Sequence, residues 1–186
     1  MNYFGEKIRL RAVERNDLPR YVEWFADPAV SENLSGQMPM SLAHEERWYE
    51  EILKQPMDQQ ALAVDLRTGR GKWEHIGGTG FHVLDKRNRS AECGLFIGAK
   101  KYWSKGHGRD ILLTLLAYGF KTLNLNRVQL RVMEYNRRAI HLYEKIGFVR
   151  EGSMREAHFY QGRYWEVHLY SILRREWETR YGAPEE

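Results

Sequence analysis

The chain has 186 residues, a formal net charge of +4, and 42% hydrophobic and 29% charged residues, the balance of an ordinary globular domain rather than a disordered or fibrous chain. That length buries roughly two-thirds of the unfolded surface, whereas no apolar run approaches the ~20 residues of a membrane span, and the start Met1 to Lys7 lacks the pattern of a secretory signal. A lone Cys93 excludes an internal disulfide framework and fits a reducing cytoplasm, while the modest positive charge suits an anionic ligand or acidic partner without marking a nucleic-acid binder.

Ile8 to Val13 alternates apolar and basic residues, which predicts a half-buried strand. Asn16 or Asp17 is placed to cap a helix with Pro19 in its first turn and Leu18, Val22 and Phe25 at helical spacing, ending near Asp27-Pro28. Residues 28–40, with Pro28, Gly36 and Pro39, read as a loop. Ser41, followed by Glu45 and Glu46, opens a second helix reaching about Lys54. Gln60 to Asp65 and Ile76 to Leu84 are predicted strands joined by a hairpin-type connection over Arg67 to Lys72, and another strand runs from Ala91 to Ala99. Gly108 to Leu123 is the strongest helix, its Ile111, Leu112, Leu115, Leu116, Phe120 and Leu123 forming a wide apolar stripe.

Val128, Leu130 and Val132 alternate with Arg127, Gln129 and Arg131, so a strand follows. Asn136 to Ile146 is a shorter helix closed by Gly147, and two last strands, about Phe148 to Phe159 and Tyr164 to Arg174, flank Gln161-Gly162-Arg163. The residues after Tyr181 read as a loose tail. The order predicts an α/β (α+β mixed) fold in one domain over residues 1–186, with its core at about 7–177. Its sheet is expected to be mixed, mostly antiparallel and twisted, of about six to seven strands with helices on both faces.

The stretch Lys100 to Arg109 joins a strand to the best helix. Gly106 and Gly108 let the backbone turn tightly and approach a ligand, and the N–H groups of the helix start point outward with the positive end of its dipole behind them. Lys100, Lys101, Lys105 and Arg109 add charge, so the loop reads as a phosphate or pyrophosphate site; a plain tight turn has the same glycines. It is not a dinucleotide fingerprint, because residue 111 is Ile, and the Walker-type spacing is absent.

This loop, its long helix, a strand and then Asn136-Arg-Arg-Ala139-Ile-His-Leu-Tyr143-Glu-Lys-Ile-Gly147-Phe148 together resemble the GNAT superfamily of N-acetyltransferases. Trp103 stands where that family usually has Gln or Arg. Tyr102-Trp103 before Gly-x-Gly, Arg9-Leu-Arg11, and Gly162 to Ser171 resemble the branch of ribosomal-protein N-terminal acetyltransferases. The resemblance covers about residues 7 to 177. It implies acetyl-CoA as cosubstrate, no metal, and an amine-bearing acceptor: a protein N-terminus first, otherwise a polyamine, amino acid or amino sugar. It also implies that Trp103, Ser104, Lys105, Gly106, His107, Gly108 and Arg109 cradle the pyrophosphate. The main chain of Phe96, Ile97 and Gly98 would meet the pantetheine arm and the developing oxyanion, Asn136 would hold the cofactor's end, and Arg137 and Arg138 would reach its ribose phosphate.

Acyl transfer to an amine needs a base for the ammonium, a donor for the oxyanion and an acid for the departing thiolate. Tyr143 is the acid candidate by that resemblance, and it serves equally as a core tyrosine on the apolar side of its helix. Glu92, in line with Gly94, Phe96 and Gly98, is the base candidate, an exposed strand charge, or an acidic contact for a basic substrate. Asn136 is also a helix cap. Cys93 falls on the opposite side and reads as an inert buried thiol. The pairs Arg137-Arg138 and Arg174-Arg175 read as solvated ends. A CoA-binding module without turnover and a ribosome- or RNA-associated protein are the readings of other classes; the strands lack the aromatic and basic motifs of a dedicated RNA module. The Trp- and Tyr-rich final strands are compatible with a homodimer.

Overall fold

The computed structural model describes residues 1–34 and 39–182. In chain order the elements are β1 (Tyr3–Phe4), β2 (Ile8–Ala12), α1 (Leu18–Phe25), α2 (Pro28–Ser31), α3 (Leu42–Leu53), β3 (Leu62–Gly69), β4 (Lys72–Asp85), β5 (Ser90–Ile97), α4 (His107–Ala117), β6 (Arg127–Met133), α5 (Arg137–Ile146), β7 (Val149–Tyr160), β8 (Arg163–Leu173) and α6 (Arg174–Tyr181). The strand order is β1-β2-β3-β4-β5-β6-β8-β7. The ladders β1–β2, β2–β3, β3–β4, β6–β8 and β7–β8 are antiparallel and β5–β6 is parallel, so the sheet is mixed and mostly antiparallel.

Eight strands replace the expected six to seven because β1, two residues long, is too short to carry a period. Residues 28–31 form a helical turn, not loop, nucleated by Pro28 and by the Asp27 carboxylate, which accepts from the Ala29 N–H at 3.0 Å. The rest of that expected loop falls partly on 35–38, and the expected loose tail partly on 183–186; both stretches lie outside the described residues. Residues 174–181, of which Arg174 was expected to end the last strand and the rest had no assigned element, form α6, whose single buried side chain, Trp177, gives no helical stripe to read.

The described residues group into two compact units. The first holds Met1–His82 and Gly94–Tyr118. In β2, Ile8 and Leu10 are fully buried, as the alternation predicts. Arg9 and Arg11 between them are paired rather than solvated: Arg9 Nη2 lies 2.8 Å and Arg11 Nε 2.9 Å from Asp65 on β3, and Arg11 also forks onto Asp17 at 2.7 and 2.8 Å. Asp17 further accepts from the Glu14 N–H at 2.8 Å, closing a capping box on the 3-10 turn Arg15–Asp17, so at the N-cap of α1 its carboxylate accepts no N–H of that helix. Ser41 does cap α3, accepting from the His44 N–H at 3.3 Å. Tyr21, Trp24, Val30, Tyr49 and Ile52 form the core between α1, α2 and α3.

The second unit holds Val83–Cys93 and the chain from Gly119. Val128, Leu130 and Val132 of β6 and Ile140, Tyr143 and Ile146 of α5 are buried, the first set at period two and the second at helical spacing. The strongest predicted helix ends earlier than its stripe, because residues 118–122 form a wide π-type turn. Arg174 answers that turn: its guanidinium donates to the carbonyls of Phe120 at 2.6 Å and Leu125 at 2.8 Å, so it is a structural group rather than a solvated strand end.

Candidate active site

In the first unit, β5 ends at Ile97 and the chain passes through a 3-10 turn, Lys100–Tyr102, into α4. Gly106 takes the left-handed conformation, φ 83°, as the N-cap of α4, and Ser104 shares that region at φ 57°. A Cβ at Gly106 would meet nothing within 4 Å, so backbone freedom and open space coincide there. The first N–H groups of α4 follow at once, as an anion site requires.

Charge in this loop is distributed differently from the sequence reading. Lys100 pairs with Asp27, and Lys101 Nζ lies 2.7 Å from Glu74, whose carboxylate also accepts from the Tyr102 hydroxyl at 2.7 Å. The Lys101 bond, with that of Tyr102, holds Glu74 below the usual carboxylate range. Lys105 has no carboxylate partner among the described residues; its ammonium lies 5.8 Å from the Tyr102 ring centre. Burial, together with the charge of Lys7, keeps the His107 imidazole below its ordinary pKa, so it is neutral at pH 7.

Trp103 turns back on the strand: its indole N–H donates to the Ile97 carbonyl at 2.6 Å. The N–H groups of Gly98 and Ala99 both donate to Ile76, at 2.9 and 3.2 Å. Gly98 is glycine because a Cβ would fall 2.0 Å from the Trp24 ring. The anchor of α4 is Asp110, which accepts from the backbone N–H groups of Glu6, Lys7 and Ile8 at 2.9, 2.8 and 3.2 Å. Gly108 and Arg109 continue the first turn, the Arg109 N–H donating to the Gly106 carbonyl at 3.1 Å. The loop fits a pyrophosphate: open backbone, a helix start and, in Lys105, an ammonium with no carboxylate partner among the described residues.

In the second unit, Asn136 Oδ1 accepts from the Ala139 N–H at 3.1 Å, so the cap reading of Asn136 is realised. Arg137 and Arg138 are exposed in the first turn. Tyr143 lies on the buried face of α5, 8% exposed, packed against Phe148 at 5.8 Å between ring centres. Among the described residues its hydroxyl has no hydrogen-bond partner. Burial, with a small push from Cys93, raises its pKa, so the phenol holds its proton. Burial, with the charge of Glu92, likewise pushes the Cys93 thiol up to about 12 and leaves it inert.

Glu92 sits on β5, paired in register with Gln129 of β6. It is 7% exposed, and Arg131 Nε donates to its carboxylate at 2.8 Å. The carboxylate is therefore not an exposed strand charge. Its partner was visible only as one basic position of an alternating strand, 39 residues away.

One buried acid escaped the sequence reading. Glu45 appeared only as an early residue of a helix, yet Glu45, Tyr49 and Ile52 make the buried stripe of α3. The spacing i, i+4, i+7 is legible in the sequence and sets the acid among apolar positions.

The family described as acetyltransferase (GNAT) domain matches residues 7–149. The crystal structure of spermidine N-acetyltransferase from Vibrio cholerae in complex with CoA and spermine superposes with a TM-score of 0.83 at 29% identity, covering 92% of this chain and 98% of that one. An uncharacterised N-acetyltransferase of Bacillus licheniformis, p20, is 28% identical over 94% of this chain and 97% of its own length. Bacillus subtilis YdaF, provisionally named a ribosomal N-acetyltransferase, is 38% identical over 52% of each chain. No helix among the described residues is long and apolar enough to cross a membrane, and none of their His, Cys, Asp and Glu side chains form a group that could hold a metal. With the family matched over most of the chain, and with left-handed Gly106 at the start of α4 and Tyr143 on α5, the chain belongs to the GNAT family and is an acetyl-CoA-dependent N-acetyltransferase.

Proposed function

We propose that the protein moves the acetyl group of acetyl-CoA to a primary amine of an aliphatic polyamine, in the cytoplasm, by direct attack of the amine on the thioester. The nitrogen forms a bond to the carbonyl carbon, the carbon–sulfur bond breaks, and the proton lost by the amine is balanced by one gained at sulfur.

Tyr143 carries the reading. A buried phenol that keeps its proton and spends it on no protein acceptor among the described residues is suited to protonate a departing thiolate. Glu92 takes the ammonium proton, directly or through water; the Arg131 guanidinium competes with the ammonium for that carboxylate and limits the group to a modest role. Gly106, the α4 start, Lys105, Gly108 and Arg109 receive the pyrophosphate, with Ser104, His107 and Trp103 shaping the loop. The main chain of Phe96 and Ile97 meets the pantetheine amides, and Asn136 and Arg138 lie toward the cofactor's end.

The polyamine class is supported by likeness to a spermidine N-acetyltransferase over nearly the whole chain. A protein N-terminus is the second reading, supported by the higher identity to YdaF over half the chain. Thiol release from acetyl-CoA against spermidine, short N-terminal peptides, amino acids and amino sugars tests both. Turnover confined to the peptides would replace the first reading by the second.

A further inference from the structure

We infer that Glu45 is the specificity residue for a polycationic acceptor: its carboxylate, beside the aromatic cluster centred on Tyr21, pairs with a second ammonium of the polyamine while another amine of the same molecule reacts. The inference rests on the polyamine reading and adds to it the group that recognises the charge.

Three acids of the first unit are buried among the described residues, Asp17, Glu45 and Asp65. Asp17 is held by Arg11, and Asp65 by Arg9 and Arg11. Glu45, 4% exposed, has neither a hydrogen-bond donor nor a cation against its carboxylate among the described residues. A buried carboxylate left this way is costly to the free protein, and a cation arriving from outside removes the cost. Burial alone lifts Glu45 to about 6, so it remains ionised at neutral pH, where aliphatic amines are protonated.

The surroundings are those an alkylammonium chain prefers. Glu45 shares the buried stripe of α3 with Tyr49 and Ile52, which pack in one cluster with Tyr21. The Tyr21 ring lies 5.9 Å from Trp48, 6.0 Å from Phe25 and 5.8 Å from Phe96, and Phe25 lies 5.2 Å from Phe96. Phe25, Trp48 and Phe96 are half-buried, so each ring keeps some area in contact with solvent. Aromatic faces attract ammonium groups, and methylenes between two charges pack on the same rings. Phe96 belongs to β5, which ends at Ile97, so the cluster is continuous with the strand that the cofactor arm is proposed to follow.

The test is steady-state kinetics of the full chain with spermidine and with butylamine, which has no second ammonium, for the native protein and Glu45→Gln. Glutamine keeps the shape and removes only the charge, and Glu45→Asp keeps the charge one methylene back. The inference predicts that Glu45→Gln raises the spermidine KM by about tenfold or more, the scale of one charged contact, and leaves the butylamine and acetyl-CoA KM values within about twofold. Glu45→Asp should fall between. A spermidine KM within about twofold of native in Glu45→Gln overturns the inference and leaves the polyamine reading intact. A native protein that acetylates N-terminal peptides and no polyamine overturns both, and is told apart by the native protein alone.

Discussion

Arg131 on β6 donates its Nε to the carboxylate of Glu92 on β5 at 2.8 Å, an ion pair whose acid is buried and whose base is half exposed. If Glu92 accepts the ammonium proton, Glu92→Gln should lower kcat by about tenfold to a hundredfold, the lower end of general-base effects, with acetyl-CoA affinity unchanged. Arg131→Met should do the reverse of disabling it, shifting the acid limb of kcat/KM to higher pH by removing the competing cation. An unaltered kcat in Glu92→Gln takes the residue out of the mechanism.

Tyr143→Phe removes one oxygen from a site where, among the described residues, no protein donor or acceptor depends on it, so stability should change by less than about 1 kcal/mol. Turnover should fall by about a hundredfold or more while calorimetric acetyl-CoA affinity stays close to native. Because burial raises the phenol above its ordinary value of 10.0, kcat in the native protein should show no loss from tyrosine ionisation up to that pH. A drop in kcat centred near 10 that disappears in Tyr143→Phe would contradict the buried-donor account.

Gly106→Ala places a Cβ in open space but holds alanine at φ 83°, a conformation that costs about 1–2 kcal/mol. The variant relieves that strain by moving the loop, so weaker acetyl-CoA binding should accompany the lower melting temperature. Lys105→Ala should also weaken binding, by about tenfold at low ionic strength and by less at high salt. Identical binding by native and Lys105→Ala proteins at low salt would remove that ammonium from the phosphate site.

Glu45 also predicts how stability depends on pH. Its folded pKa, about 6, lies above the ordinary 4.5, so the native state binds the proton more tightly than the unfolded chain does. Stability from this group is therefore full below about 4.5, declines as pH rises to about 6, and stays reduced above that. Glu45→Gln should stabilise the ligand-free protein by about 1–2 kcal/mol at pH 7.5 and by little at pH 4.5. Denaturant melts at the two pH values check this; equal effects at both would show that the carboxylate is solvated.

What the sequence revealed was mostly local chemistry. Ser41 and Asn136 were legible as helix starts because each cap bond spans three residues, and Gly147 as a stop because its φ is 112°. The Lys105-Gly106-His107-Gly108 loop was legible for the same reason. Arg9 and Arg11 were legible only as the basic positions of an alternating strand, because their shared partner, Asp65, is 56 and 54 residues away and only the β2–β3 register brings it opposite. Lys100 and Lys101 were counted as phosphate charges since Asp27 and Glu74 gave no sign of meeting them. The burial of Glu45 is legible in the sequence, because its place in the stripe with Tyr49 and Ile52 follows from spacing alone. The acid role of Tyr143 came from the family resemblance, since periodicity placed it in the core and was silent on what its hydroxyl does, whereas Glu92 was picked out by strand alternation.

The most direct test of acetyl transfer to a polyamine is the rate of free CoA release by the native protein, with acetyl-CoA saturating and each acceptor varied. The account predicts that a polyamine such as spermidine has a higher kcat/KM than N-terminal peptides, amino acids or amino sugars, and that the product carries one acetyl group on a primary nitrogen. Tight acetyl-CoA binding with no release in the presence of any polyamine, and release with a peptide N-terminus, would contradict it.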